Sequence, residues 1–249
     1  MLKSERHSYM ENVIMLQGRI IVTDMAKELA VTEDTIRKDL CDMAKKGLVK
    51  RVHGGAVKIE KEIPDFTLRT ELFMDEKRHL AEKAITLLKN DMSIFIDGGT
   101  TNLMLVELLP PDYHGSIITN NPLLPLKLVA HPNINVILIG GTFDKVSQII
   151  FGSAACQAIE NLHVDICFVG LSSIDTKYGI TVGSFEESLI KQAIIKSSST
   201  CVGMVTREKI GKLATFTVGK TSLLDYLILE EGTSSTVREQ FEELGIKTL

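Results

Sequence analysis

No apolar run in the 249 residues approaches the roughly 18 needed to cross a bilayer. The opening stretch, Met1-Leu2-Lys3-Ser4-Glu5-Arg6-His7, is charged where a secretory leader would turn apolar. Neither a transmembrane helix nor a signal peptide is expected, no membrane partner is expected, and the cytoplasm is the expected compartment. Cysteine is sparse. Cys41, Cys156, Cys167 and Cys201 lie far apart, without a C-x-x-C pair or a neighbouring histidine cluster. This argues against disulfides and against a structural zinc site, and leaves reduced, mostly buried thiols. No metal and no cofactor is expected.

What is present is ordinary globular material: 44% hydrophobic and 24% charged residues, enough for a sizeable core in one or two domains. The net charge of -4 is unevenly distributed. Residues 1 to 58 carry 11 Lys and Arg against 8 Asp and Glu, and the remainder carries 17 against 24. A basic head on an acidic body suits a chain whose first segment neutralises phosphates.

That first segment is patterned as a small helical unit. Met10, Val13 and Ile14 define an amphipathic helix ending near Gly18, and Ile20-Ile21-Val22 follows as a β-like run. Met25, Ala26 and Leu29 give a short second helix, with Thr23 or Asp24 as its cap. After a turn, Thr32 caps a third helix; Glu33 and Asp34 complement its dipole, Ile36, Leu40, Met43 and Ala44 form its apolar stripe, and Gly47 ends it. Thr35, Arg37, Lys38, Lys45 and Lys46 remain exposed. Taken alone, this last helix reads as a surface helix with solvated charges. Its neighbour argues otherwise. Leu48 to Ile59 reads as two short strands about Gly54-Gly55, with Lys50, Arg51 and Lys58 placed to reach phosphates. Two short helices, a tight turn and a basic ribbon form a winged helix-turn-helix whose second helix enters the major groove.

The stretch Val31-Thr32-Glu33-Asp34-Thr35-Ile36-Arg37-Lys38-Asp39-Leu40, followed by Gly47, Leu48, Arg51, Val52, His53, Gly54, Gly55 and Ala56, resembles the signature of the DeoR family of bacterial sugar-metabolism regulators. The resemblance implies a double-stranded operator as partner. It puts Thr32, Thr35, Arg37 and Lys38 at the groove and Arg51 and His53 in or near the wing. Asp39, which phosphate would repel, is expected to pair with Arg37 or a neighbouring basic group.

The expected organisation is a winged helix-turn-helix over 1 to 59, a polar linker over 60 to 74, and a larger domain over 75 to 249. The larger domain alternates helical patterns with apolar runs at Ser93–Ile96, 116–119, 136–139, 166–169, Cys201–Val205 and Tyr226–Leu229. That rhythm implies a Rossmann-like α/β domain with a mostly parallel sheet, whose ligands bind at the carboxyl ends of the strands. The residues there are polar or small. Asp97-Gly98-Gly99-Thr100-Thr101-Asn102 opens a helix, so glycines, hydroxyls and a helix amino terminus converge as a phosphate cradle. It lacks a P-loop lysine and the dinucleotide fingerprint, so neither ATP nor NAD is expected. Asn120, Asn121, Gly140-Gly141-Thr142 and Gly170-Leu171-Ser172-Ser173 follow other strands. Lys191, four residues after Glu187, reads as a surface ion pair.

The family resemblance extends to the carboxyl end and implies a sensor domain similar in fold to ribose-5-phosphate isomerase that binds a phosphorylated sugar effector. It assigns Asp97, Gly99, Thr100 and Thr101 to a D-x-G-T-T phosphate motif, adds Thr119-Asn120 and Gly140-Gly141, and places Lys191 and Lys209 in the pocket. Ser172, Leu189 and the run Thr206 to Gly211 depart from the family pattern on the side that would read the sugar. The implied function is a transcription regulator, expected to act as a repressor and as a homo-oligomer, dimer or tetramer. The rival is a sugar-phosphate isomerase with Asp175 or Glu187 as base and Lys191 stabilising an enediolate. The substitutions at Ser172 and Leu189 argue against it, because they remove carboxylates from the places a base would occupy.

Overall fold

The computed structural model describes residues 3–17, 19–45, 48–52, 54–58 and 66–249. Gly18, Lys46, Gly47, His53 and the first part of the expected linker lie outside the described residues. The chain divides into two compact units, Met1–Ile63 and Pro64–Leu249.

The first unit runs α1 (Lys3–Gln17), β1 (Arg19–Ile21), α2 (Val22–Glu28), α3 (Glu33–Lys45), β2 (Val49–Val52) and β3 (Gly55–Lys58). Met10 and Ile14, Met25 and Ala26, and Ile36, Leu40 and Met43 meet in one core, as their helical spacing predicts. β2 and β3 form the expected antiparallel ribbon, and β1 extends it to three strands in the order β1-β3-β2. Gly55 is required there: a Cβ on it would lie 1.9 Å from the Ile20 carbonyl oxygen across the β1–β3 pair. Two details differ from expectation. Val22 opens α2 instead of ending a strand, and neither Thr23 nor Asp24 caps that helix; Ile21 stands at the cap without a side-chain bond. The Val22 amide is satisfied instead by the Gly54 carbonyl at 2.9 Å, which joins the helix start to the wing turn.

The second unit begins with α4 (Phe66–Glu71) and α5 (Met74–Ile85). Residues expected in a polar connector up to 74 are thus helical, because Phe66 finds a core to enter and is buried against it. There follow β4 (Ser93–Ile96), α6 (Thr100–Glu107), β5 (Gly115–Thr119), α7 (Leu123–Leu128), β6 (Ile134–Leu138), β7 (Thr142–Asp144), β8 (Ile149–Phe151), α8 (Ser153–Glu160) and β9 (Ile166–Gly170). The chain then makes β10 (Ser173–Asp175), β11 (Gly179–Val182), α9 (Phe185–Lys196), β12 (Cys201–Val205), β13 (Phe216–Gly219), β14 (Tyr226–Leu229), α10 (Ser235–Glu242) and β15 (Lys247–Thr248).

Seven strands form the central sheet in the order β15-β14-β12-β9-β4-β5-β6. Every pairing in it is parallel. Two small antiparallel sheets, β7-β8 and β10-β11-β13, flank it. The strands read as continuous apolar runs because both faces are covered. Ile94 and Ile96 enter the cluster that holds Leu80, Ala84, Val106 and Leu124 from α5 to α7. Phe95 points into the opposite cluster with Ile159 and Ile190 from α8 and α9. The chain order doubles back at β4, which lies between β9 and β5. A crevice at the carboxyl end of such a switch-point strand is where open α/β sheets receive ligands.

Candidate functional site

On the first unit, α3 opens as its sequence predicts. Thr32 Oγ1 accepts the Thr35 amide at 3.2 Å and lies 2.9 Å from the Thr35 hydroxyl. Arg37 and Lys38 are exposed on the face away from Ile36, Leu40 and Met43. The Arg37 guanidinium pairs with Glu33 at 2.7 Å and Asp34 at 3.3 Å. Exposed pairs like these are worth only ~0.2–1 kcal/mol, so Arg37 is pre-positioned yet can change partners at little cost. Asp39 does not pair with Arg37. It shares the buried face with Ile36, Leu40 and Met43, and accepts from Arg6 Nε at 2.7 Å with His7 Nε2 at 3.2 Å. The carboxylate therefore fastens α1 to α3 from inside. Lys50 and Arg51 project from β2 into solvent, and His53 lies outside the described residues.

On the second unit, β4 leads through Asp97-Gly98-Gly99 into α6. Gly99 sits at φ 134 before the helix and has no side chain with which to cap it. The amides of Thr100, Thr101 and Asn102 precede the first residue that can bond back along the helix, since Leu103 donates to Gly99. These amides therefore lie at the positive end of α6, in the turn that also carries Thr100 and Thr101. Gly140 has open space where a Cβ would stand, and Gly141 is packed against the Phe151 carbonyl and could not carry one.

Three of the residues expected at the ligand are bonded within the protein. Asp97 is wholly buried. Its Oδ1 accepts the Gly98 amide at 2.7 Å, and its Oδ2 accepts the Gly170 amide at 2.9 Å and the Lys191 ammonium. Asn120, also wholly buried, accepts the Gly98 amide at 3.1 Å and donates to the Ile150 carbonyl at 3.3 Å. Lys191 is 1% exposed, so its pairing with Glu187 at 3.4 Å is no surface pair. Burial pushes the Lys191 ammonium down, but Asp97 and Glu187 outweigh this and hold it above the ordinary lysine value. The pair is thereby neutralised inside the fold. These contacts tie the three side chains into the frame of the loop.

The frame is dense enough to dictate glycine. A Cβ on Gly170 would stand 2.3 Å from the Gly98 carbonyl and 3.2 Å from both Asp97 Oδ2 and Lys191 Nζ. Asn102 donates to the carbonyls of Asp97 and Phe168, both at 2.9 Å, locking the loop across β4 and β9. The Thr119 hydroxyl donates to the Ile96 carbonyl at 2.6 Å and accepts from the Asn121 amide at 3.0 Å. Asp97, Asn120 and Lys191 thus hold the loop that leads through Gly98 and Gly99 into Thr100 and Thr101.

Lys209 lies half-buried in a short helical turn after β12. Burial pushes its ammonium down to about 8; Glu208 opposes the shift, while Arg69, Lys191 and Lys212 add to it. Lys77, at the start of α5, shows the same depression. Sequence reasoning missed Lys77, although a signal existed: it sits at the spacing of Leu80, Ala81 and Ala84, on the buried stripe of α5. Asp175, one rival catalytic base, instead accepts the Lys177 and Tyr178 amides at 2.8 and 2.9 Å, closing the β10–β11 turn.

Comparison with known proteins agrees with both units. Residues 6–62 match the model of the DeoR-like helix-turn-helix domain, and residues 73–231 match that of the DeoR C terminal sensor domain. The chain is similar to the HTH-type transcriptional regulator GolR of Listeria innocua, 29% identical over 248 residues, 99% of this chain and 98% of that one. It is also similar to the glycerol-3-phosphate regulon repressor of Escherichia coli, 27% identical over 231 residues and 90% of each chain. Among solved structures, ribose 5-phosphate isomerase A of Methanocaldococcus jannaschii aligns with a TM-score of 0.40 at 15% identity, over 55% of this chain and 54% of that one. The chain belongs to the DeoR family of DNA-binding transcriptional regulators and is a regulator, not an enzyme.

Proposed function

We propose that this regulator represses a carbohydrate-metabolism operon and is controlled by a phosphorylated sugar bound at the amino terminus of α6. The observation that carries the reading is the cradle: amides of Thr100, Thr101 and Asn102 and two hydroxyls at the carboxyl end of a switch-point strand, backed by a buried Asp97–Lys191 pair. Such a helix start favours an anion through both its unsatisfied donors and its dipole. Gly99 and Gly140 leave the approach open, and Lys209 supplies cationic charge. The name of the Escherichia coli relative, a glycerol-3-phosphate regulon repressor, supports a phosphorylated effector. Effector binding alters operator affinity by as much as its affinity differs between the two states of the repressor, and no more.

At the operator, Thr32, Thr35, Arg37 and Lys38 on α3 face the major groove, and Arg51 and His53 in the wing meet the backbone. Arg37 leaves Glu33 and Asp34 to do so. In gel-shift titrations, Arg37→Ala or Lys38→Ala is expected to abolish operator selectivity, with a lost bidentate base contact costing roughly 1 to 3 kcal/mol. Arg51→Ala weakens binding to all sequences alike and reduces the salt slope by about one. Unchanged binding in all three variants would remove α3 from the groove.

The active species is a homo-oligomer, because helix-turn-helix readers match two-fold operators. Footprinting is expected to show paired half-sites separated by whole helical turns, and light scattering a dimer or tetramer. A monomer protecting a single half-site contradicts this.

A further inference from the structure

The central sheet ends in two unlike edges. One is β15, only two residues long and carrying Lys247. Short, charged edges are a means by which folded proteins keep a free strand from pairing with another chain. The other edge is β6, which has neither guard. Its five residues, Ile134–Leu138, lie in a stretch from Pro132 to Phe143 that contains no charged side chain. Among the described residues no strand but β5 pairs with it. The Ile139 amide donates to the Thr119 carbonyl, and alternation along the strand turns Asn135 and Ile137 towards β5 as well. The amides and carbonyls of Val136 and Leu138 therefore point away from the sheet.

The side chains around these free groups are apolar and uncovered. Ile137 is 42% and Leu138 43% exposed, on opposite faces of the strand. α7, which packs on β6, adds Leu126 and Val129 at 70% and 79%. A row of unpaired backbone groups flanked by apolar side chains is a template for another strand. Charge decides which strand. Residues 59 to 249 carry 24 Asp and Glu against 17 Lys and Arg, so two copies of this acidic body repel each other through their net charge. The uncharged edge is a place where they can meet without adding to that repulsion.

We propose that β6 pairs antiparallel with β6 of a second copy of this chain, joining two seven-stranded sheets into one continuous sheet. This rests on the reading of the protein as a homo-oligomer and names the surface through which it assembles. A two-fold axis through Ile137 satisfies the outward groups of both strands. Val136 of each copy then lies opposite Leu138 of the other and exchanges both N–H···O bonds with it, while Ile137 lies opposite its own copy. A five-residue seam alone is small beside the roughly 800 Å² that each partner contributes to a standard interface. The axis stands perpendicular to the sheet, however, and so keeps both α7 helices on one side of the seam, where Leu126 and Val129 widen the apolar contact.

The test is light scattering of the full-length protein across a dilution series, for the parent, the Ile137→Lys, Leu138→Lys double variant and Leu244→Lys. Leu244 is an exposed leucine just past α10, the helix that packs on β15 at the opposite edge. The double variant brings the added ammoniums of both copies to one seam, and its dissociation constant is expected to rise at least tenfold. Leu244→Lys is expected to keep the parent's mass throughout. A double variant that keeps the parent's mass and dilution profile overturns the proposal and leaves the homo-oligomer reading intact, as does a Leu244→Lys protein that dissociates equally. A parent that is monomeric overturns both. Should the double variant fail to fold, hydrogen exchange in the oligomeric parent decides. The Val136 and Leu138 amides are expected to exchange as slowly as those of Asn135 and Ile137; exchange at least a hundredfold faster than these neighbours marks a free edge and overturns the proposal.

Discussion

Asp97→Ala is expected to lower the stability of the sensor unit by about 3 to 5 kcal/mol, the range found when one partner of a buried ion pair is removed. The size follows from what the carboxylate does. It is wholly buried, accepts two loop amides, and is the nearer of the two carboxylates that neutralise Lys191. Its loss leaves Lys191 with Glu187 at 3.4 Å and leaves the Gly98 and Gly170 amides short of an acceptor. The sign in pH is fixed by Lys191, whose value is raised in the fold. The stabilisation it confers is fully present below 10.5, lysine's ordinary value, and is lost as pH climbs through the higher value it has in the folded chain. The gap between parent and variant should therefore be steady from neutral to mildly alkaline pH. Urea unfolding monitored at the sensor unit measures it as a shift of midpoint at constant slope. Asp97→Asn, which keeps the shape and an acceptor oxygen but not the charge, should lie between the two. An Asp97→Ala protein as stable as the parent, but deaf to its effector, would place Asp97 at the ligand instead of in the frame.

The same residue shows how far the sequence could be read. Parallel strands buried on both faces announce themselves as apolar runs, and the six expected ones are present at β4, β5, β6, β9, β12 and β14. The ribbon after α3 was legible from its Gly54-Gly55 turn, as was the threonine cap at Thr32. A polar residue at a strand end was ambiguous. Asp97, Asn120 and Lys191 carry the chemistry of a binding site, but local pattern does not reveal whether a side chain turns outward to a ligand or inward to amides from distant strands. Gly170 meets Asp97 across 73 positions of chain, and Lys191 across 94. Partners so remote leave no periodicity. Asp39 does pair with basic groups, as its charge predicts, but of the two alternatives it takes Arg6 and His7 and not Arg37, because the stripe Ile36, Leu40 and Met43 carries it inward. Lys77 was the converse case, a charge on an apolar stripe, visible in the pattern and passed over. Phe66 likewise marked a helix in a stretch whose composition otherwise reads as linker.

Replacing Thr100 and Thr101 by alanine is expected to separate effector response from DNA binding. Both threonines stand in the first turn of α6, nearly buried, with Gly99 before them offering no cap. In the proposed complex each hydroxyl donates to a phosphoryl oxygen, and hydrogen bonds to a charged group are worth roughly 1.5 to 3 kcal/mol each. Effector affinity should therefore fall at least tenfold, and by more if both bonds are made and add. The backbone amides and helix dipole remain in the variant, so binding should weaken without vanishing. Stability should change far less than in Asp97→Ala, since no buried charge loses its partner. Operator affinity without effector should be the parent's, because the two threonines belong to the second unit while α3 and the wing belong to the first. If the chain acts as the repressor proposed above, the double variant stays on its operator as the effector accumulates. Operator binding measured across an effector titration, for parent and double variant side by side, reads both quantities at once. An unchanged effector midpoint would mean that the metabolite binds away from α6, and a loss of operator affinity in the absence of effector would mean that the cradle shapes the DNA-binding state even when empty.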